Sequence, residues 1–186
     1  MKTKGVMVAG LAGGSGKSVA SVGLTALLAE QYGKVVPFKK GPDYIDAGWL
    51  QLAAGNPCYN LDPYLMSEEV IKESFIRRSS GADFVVVEGN RGLYDGVNAD
   101  GGYSSADLAI MLDLPVILVV NCTKTTRTVA AMVLGCMNLD KRVNICGVIL
   151  NQIATKRQKK IITEAVEKYT GLPVLGVIPR MKKDIF

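Results

Sequence analysis

The 186-residue chain contains no histidine, a single tryptophan and only 6% aromatic residues. Without histidine, neither Ser-His-Asp nor Cys-His catalytic machinery nor a His-ligated metal site can be assembled from this chain. Acid–base work falls to carboxylates, lysines or the substrate itself. Cysteine is sparse as well. Cys58, Cys122, Cys136 and Cys146 form no C-x-x-C pair, which argues against a zinc site. Cys122 and Cys146 sit in or beside apolar runs, where buried reduced thiols are the default. No apolar run approaches the roughly 18 residues of a membrane span, and the N-terminus reaches glycine too soon for a signal peptide. The expected compartment is the cytoplasm, with no membrane partner.

The net charge of +5 is unevenly spread. Residues 1–155 carry 14 basic and 14 acidic side chains, whereas residues 156–186 carry eight basic and three acidic. A neutral body argues against a nucleic-acid binder. The basic final segment reads as a solvated helix face or as the border of an anionic ligand or partner domain. With 48% hydrophobic and 21% charged residues, the chain has the composition of one globular domain with a sizeable core.

Short apolar runs recur at Val6–Ala9, Val35–Phe38, Phe84–Val87, Val116–Val120, Ile145–Leu150 and Val174–Ile178. They are rich in valine and isoleucine and do not alternate with polar residues, which is how strands buried on both faces read. The intervening segments are long enough for crossover helices. In residues 156–169, Ile161, Ile162, Ala165, Val166 and Tyr169 make a helical stripe, which Gly171 and Pro173 terminate. This alternation predicts an α/β, doubly wound, mainly parallel sheet. Pro173–Arg180 reads as a core strand followed only by Met-Lys-Lys-Asp-Ile-Phe, so a truncated or split polypeptide is expected.

The first predicted strand runs into Gly10-Leu11-Ala12-Gly13-Gly14-Ser15-Gly16-Lys17-Ser18. A helix follows, with Val19, Val22, Ala26 and Ala29 on one stripe. Glycines let backbone N–H groups wrap a phosphate, and the helix start adds partial positive charge. In such a P-loop, Gly13, Gly14, Ser15 and Gly16 cradle phosphate, Lys17 reaches the β- and γ-phosphates, and Ser18 binds Mg²⁺. The strict G-x-x-x-x-G-K-[ST] pattern is broken at its first position, which is Leu11. A glycine-rich turn that binds nothing is the other reading, and the strand-to-helix position disfavours it.

Acids follow two further strands. Lys39-Lys40-Gly41-Pro42-Asp43-Tyr44-Ile45-Asp46 sets two carboxylates three residues apart, either facing one site or with Asp43 as a helix cap. The strand Phe84–Val87 runs into Glu88-Gly89-Asn90-Arg91-Gly92-Leu93-Tyr94-Asp95-Gly96. A glutamate at the end of a buried strand needs an ionic partner, and a metal is the expected one. All three segments should meet at the carboxyl edge of the sheet, where such folds bind ligands.

With GGSGKS, KKGPDYID and EGNRGLYDG in this order, the sequence resembles the N-terminal synthetase domain of cobyrinate a,c-diamide synthases, a P-loop fold like dethiobiotin synthetase. Later segments, CTKTTRTVAAMVLGC, GVILNQI and LGVIPR, extend the resemblance over nearly all of residues 1–186. It implies a single ATP-binding synthetase domain that uses ATP and Mg²⁺ to activate tetrapyrrole carboxylates as acyl phosphates, which ammonia converts to amides. In such enzymes ammonia comes from glutamine, through a C-terminal glutaminase domain with a Cys and His pair. That domain is expected to be absent here and supplied as a partner. The resemblance is also compatible with a homodimer.

Carried over, it places Ser18, Asp43 and Glu88 around Mg²⁺, and Lys39 near the transferred phosphate. It makes Asp46 and Asp95 acids of the reaction, and sets Tyr44 and Ile45 beside the tetrapyrrole. Asn151 matches an adenine-reading amide, with a strand-end cap as the other reading. Asn90-Arg91 departs from the Val-Met common in cobyrinate enzymes. Arg91, like Arg127 in the TKTTRT segment, is a candidate partner for a substrate carboxylate, and the departure leaves cobyrinate and sirohaem-type acceptors both open. Two other functions share the fold: a dethiobiotin-synthase-like ligase, disfavoured by KKGPDYID, and a non-catalytic nucleotide switch. The partition ATPases of the second kind carry a lysine where this chain has Ala12.

Overall fold

The computed structural model describes residues 4–181. In chain order the elements are β1 (Gly5–Gly10), α1 (Lys17–Tyr32), β2 (Val35–Lys40), α2 (Ile45–Ala54), β3 (Tyr59–Leu61), α3 (Glu68–Ser79) and β4 (Phe84–Gly92). They continue with α4 (Ser105–Met111), β5 (Val116–Asn121), α5 (Thr128–Leu139), β6 (Ile145–Ile153), α6 (Lys156–Thr170) and β7 (Val174–Pro179). The seven strands form one sheet in the order β3-β2-β4-β1-β5-β6-β7, and every neighbouring pair is parallel. This is the doubly wound α/β fold expected from the apolar runs.

The pleat divides the sheet into two cores, because successive side chains point to opposite faces. Met7, Phe38, Val85, Val87 and Leu118 face one side, with Ile71 of α3, Leu108 of α4, Val129 of α5 and Ile162 of α6. Val6, Val8, Val35, Val86 and Val119 face the other, with Ala20 and Leu28 of α1. Helix α2 lies against α1 and β2.

Three sequence expectations are corrected. The stripe of Val19, Val22, Ala26 and Ala29 is not the buried face of α1. Its buried residues are instead Lys17, Ala20, Ser21, Thr25 and Leu28, and Val19 is exposed. Mainly small and weakly polar side chains face inward there, with the Ser21 hydroxyl donating to the Lys17 carbonyl at 2.8 Å. The C-terminal strand is not a core strand: β7 pairs only with β6 and is largely half-exposed. The three-residue β3 has no apolar run and escaped prediction. In α6 the expected stripe holds for Ile162, Ala165 and Val166, while Tyr169 is exposed. The basic residues Lys156, Arg157, Lys159, Lys160 and Lys168 of α6 are exposed.

Phe38 is fully buried and meets Phe75 and Tyr59, with ring centroids 5.2 and 5.9 Å away. Truncating a buried phenylalanine costs about 3–5 kcal/mol. Phe38→Ala should therefore lower the unfolding free energy by about that amount in urea titrations, with an unchanged m-value.

Candidate active site

The loop between β1 and α1 turns through Gly14 and Gly16, both with positive φ (71° and 91°). Ser15 closes it, its Oγ donating to the Ala12 carbonyl at 2.8 Å and accepting from the Ala12 amide at 3.0 Å. The glycine missing at position 11 is answered one residue earlier. A Cβ on Gly10 would lie 2.9 Å from the Ala12 carbonyl and 3.0 Å from Lys17 Cγ, while Leu11 packs against the core. The close approach that demands glycine has moved by one position.

Gly16 has its own constraint. A Cβ there would sit 2.0 Å from Asn151 Nδ2. That amide donates to the Ser15 carbonyl at 2.9 Å, and Asn151 Oδ1 accepts from the Gln152 amide at 2.9 Å. The end of β6 thus braces the loop through a buried side chain, close to the strand-end role.

Lys17 is buried, and its ammonium makes no hydrogen bond or ion pair among the described residues. Burial and the nearby charge of Lys39 hold it below the ordinary lysine value, and Glu88, Asp46 and Asp95 oppose them. An under-compensated cation at the mouth of a glycine loop suits a phosphate.

Beside it, β2 and β4 are in register with Lys39 opposite Glu88. The Lys39 ammonium lies 2.8 Å from Glu88 Oε1, 2.8 Å from Asp46 Oδ2 and 3.9 Å from Asp43 Oδ2. The ion pair is enclosed, with Lys39 2% and Glu88 0% exposed. The ionic partner that the sequence argument sought for Glu88 is therefore present in the chain itself. Burial pulls Lys39 down, but the Glu88 charge and the two carboxylate hydrogen bonds raise it above the ordinary value, so it stays charged. Burial pushes Glu88 up, against the pull of Lys39. For Asp46 burial also acts upward, but the hydrogen bond and charge of Lys39 hold it below the usual range.

The Ser18 hydroxyl donates to Glu88 Oε1 at 3.1 Å, and Glu88 Oε2 is buried without a hydrogen-bond partner. Among the described residues no group of three or more His, Cys, Asp or Glu side chains is arranged to hold a metal ion. Mg²⁺ needs no such group, because it keeps waters and takes phosphate oxygens with one or two protein ligands. Ser18 and the unpaired Glu88 oxygen fit that requirement. Asp43 is partly committed elsewhere, its Oδ1 accepting from the amides of Ile45 and Asp46 at 2.9 and 3.1 Å. It caps α2, the alternative weighed from sequence.

In the loop after β4, Leu93 enters the core and the Tyr94 hydroxyl donates to the Cys136 carbonyl at 2.6 Å. Burial pushes Tyr94 up to about 12, so it remains a donor. Asp95 Oδ2 accepts from the Gly92 amide at 2.8 Å. Half of this motif therefore builds the loop. Tyr44 and Ile45 are exposed at the start of α2, and Trp49 and Leu52 continue their apolar face. Arg91 is exposed near Asp95, whereas Arg127 is exposed at the start of α5 with no ion pair to the other candidates. Sequence reading missed Lys40, which is 9% exposed.

A family profile described as an AAA domain matches residues 4–184. The chain belongs to that family. A cobyrinate a,c-diamide synthase from Dehalococcoides mccartyi is 46% identical over 178 residues, covering 95% of this chain and 38% of its own. A hydrogenobyrinate a,c-diamide synthase from Brucella anthropi is 44% identical, covering 95% of this chain and 40% of its own. The chain thus spans about two fifths of the curated relatives it matches. In the MinC:MinD complex of Aquifex aeolicus, one chain aligns with a TM-score of 0.64 at 16% identity, covering 97% of this chain and 83% of that one. That likeness shows the shared P-loop fold. Among the described residues no helix is long and apolar enough to cross a membrane.

Removing one partner of a buried ion pair leaves an uncompensated charge and costs about 3–5 kcal/mol. Lys39→Met should destabilise the protein by that amount, and Lys39→Met with Glu88→Gln should recover most of it. The Lys39 contribution is complete below the ordinary lysine value of 10.5 and is lost as pH rises through its higher folded value. Urea unfolding carried from neutral pH to well above 10.5 should show an alkaline decline that is steeper in wild type than in the double variant.

Proposed function

We propose that this domain is the ATP-dependent synthetase part of a tetrapyrrole a,c-diamide synthase. The observation that carries the reading is the contact chain Ser18–Glu88–Lys39–Asp46 at the mouth of the phosphate loop. Together with the identity to named amide synthases, it supports a site for phosphoryl transfer to a carboxylate.

Phosphoryl transfer depends on positioning and charge neutralisation more than on a proton acceptor. The loop amides and Lys17 hold the triphosphate. Ser18 and Glu88, with Asp43 on the carried-over assignment, would hold Mg²⁺, which would supply positive charge to the phosphates. A carboxylate oxygen of the acceptor attacks the γ-phosphorus, the bond to the bridging oxygen breaks, and ADP leaves. Lys39, fixed between Glu88 and Asp46, presents positive charge to the transferred group. Ammonia then attacks the acyl carbon, phosphate departs, and the surplus proton passes to phosphate or Asp95.

Ammonia is supplied by a glutaminase domain or subunit, since the histidine-free chain has no Cys–His pair for that step. The exposed face of Tyr44, Ile45, Trp49 and Leu52 suits a flat apolar macrocycle, and Asn151, whose amide braces the loop at Ser15, is the adenine-reading candidate carried over from the resemblance. Four unpaired cysteines fit a reducing compartment, the cytoplasm. Cobyrinate and sirohaem-type compounds are the acceptors this reading allows, with Asn90-Arg91 distinguishing this chain from the common cobyrinate pattern.

Supplying ATP, Mg²⁺ and ammonium with cobyrinate, sirohaem or nickel-sirohydrochlorin, then weighing the products, tests the reading. Amidation of one compound names the acceptor, and amidation of none sinks the proposal. Losing a charge-assisted contact of about 1.5–3 kcal/mol should weaken Mg²⁺-ATP binding by roughly 10- to 100-fold in Lys17→Ala, as measured by calorimetry. Equal affinity would remove Lys17 from the site.

A further inference from the structure

Lys40 follows Lys39 directly, yet the pleat sends the two ammonium groups to opposite faces of the sheet. Lys39 shares the α1 face with Val35, whereas Lys40 shares the opposite face with Val36 and Phe38. Lys40 is more than nine-tenths buried, and its ammonium makes no hydrogen bond or ion pair among the described residues. Burial holds it below the ordinary lysine value, with the more distant charges of Asp62 and Asp107 opposing.

It lines a recess of about 180 Å³ with Asn90 and Arg91, walled by Tyr64, Tyr103, Asp62 and Asp95. One oxygen of each acid there is engaged by the backbone. Asp62 Oδ1 accepts from the Tyr64 amide at 2.9 Å, and Asp95 Oδ2 from the Gly92 amide at 2.8 Å. Neither the Arg91 guanidinium nor Asn90 Nδ2 has a hydrogen-bond partner among the described residues, and Nδ2 lies close to Gly41.

The donors are also held in place. Ser105 Oγ, at the start of α4, accepts from the Asn90 amide and donates to the Asn90 carbonyl, both at 3.1 Å. Asn90 Oδ1 accepts from the Arg91 amide at 2.9 Å and holds Arg91 at a φ of 49°. A left-handed arginine is uncommon and costs backbone energy, so it persists where its surroundings impose it. Tyr64 and Tyr103 meet edge to face, with centroids 5.5 Å apart. Drug-sized ligands occupy roughly 300–1,000 Å³, so this recess is too small for a macrocycle and suits one acidic arm.

We propose that Lys40, Asn90 and Arg91 form a subsite for a side-chain carboxylate of the acceptor other than the one being phosphorylated. The reacting carboxylate must meet the γ-phosphate beside Lys17 and Lys39, whereas Lys40 lies on the opposite face of β2; Asp95, which lines the recess, also acts on the charge of Lys17. A carboxylate held by Lys40 is therefore an anchor. It fixes the rotation of a polyacidic acceptor and so selects which arm reaches the phosphate. The inference rests on the amidation reading and adds to it a specificity-determining lysine.

The single tryptophan, Trp49, is 55% exposed on α2 and reports binding of a coloured macrocycle through quenching. Cobyrinate and sirohaem are titrated into wild type, Lys40→Met, Lys40→Arg and Arg91→Met, each with its thermal midpoint recorded. Lys40→Met and Arg91→Met should bind the acceptor roughly tenfold or more weakly, as expected for a lost charge-assisted contact, while Lys40→Arg, which keeps the charge, should lose less than Lys40→Met. The fully methyl-esterified compound should bind wild type and Lys40→Met alike. Arg91 is exposed, so its variant reads the subsite even where Lys40→Met folds poorly. Unchanged acceptor affinity in Arg91→Met and in folded Lys40→Met overturns the subsite and leaves the amidation reading standing. Wild type that binds Mg²⁺-ATP but neither these two tetrapyrroles nor nickel-sirohydrochlorin overturns both.

Discussion

The site depends on one buried cation. Lys39 sits between Glu88 of the neighbouring strand and Asp46 of α2, and neither member of the strand pair has access to water. Two charges enclosed in this way are tolerated only while they remain in contact. The pair therefore constrains its surroundings. Strands β2 and β4 must keep the register that sets Lys39 opposite Glu88, because a slip of one residue would turn the lysine to the other face. The start of α2 must bring Asp46 to the ammonium, and the cap that Asp43 places on that helix fixes the approach. Through the Ser18 hydroxyl the same glutamate reaches the start of α1. Phosphate loop, second strand and fourth strand are thus tied at one point before any ligand arrives.

Much of the fold was legible because a strand buried on both faces leaves an unmistakable record, a continuous run of branched apolar residues. Six of the seven strands carry it. The record reports composition, not position, which is why β7 read as a core strand although it closes the sheet at its edge. Strand β3 has only Tyr59, Asn60 and Leu61. It exists because β2 offers a free edge and Asn60 holds the Gly41 and Asp43 carbonyls, facts of tertiary context. Helix α1 misled for a related reason. Periodicity searches reward large apolar residues, and this helix approaches the sheet through alanine, serine and threonine.

The candidate site divides in the same way. Residues whose chemistry is unusual for their place could be found from sequence: a Gly-Lys-Ser after a strand, a glutamate at the end of an apolar run, and acids following a Gly-Pro turn. What each does for its neighbours could not. Asn151 stood out as an amide at a strand end, but its hold on Ser15 spans 136 residues of sequence. The loop Gly92–Asp95 reads as one motif, yet in space Leu93 and Tyr94 anchor it while Asp95 shapes its turn. Lys40 was hidden by its neighbour, since two adjacent lysines look like a single basic patch until the pleat separates them.

That separation answers a physical difficulty. A reaction between a nucleoside triphosphate and a polyacidic acceptor brings together two highly anionic molecules, and cations are needed for both. Concentrating them on one face would be self-defeating, because each buried ammonium weakens the next. The charge of Lys39 already helps to hold Lys17 below its ordinary value, and Lys39 and Arg91 act on Lys40 in the same direction. Alternation along β2 places Lys39 beside the phosphate loop and Lys40 behind the strand, where Asp62 and Asp107 offset part of its burial. The strand itself then serves as the partition. On the readings proposed above, phosphate is met on the α1 face and an acidic arm on the other, so that the acceptor reaches the transferred phosphate across the carboxyl end of β2.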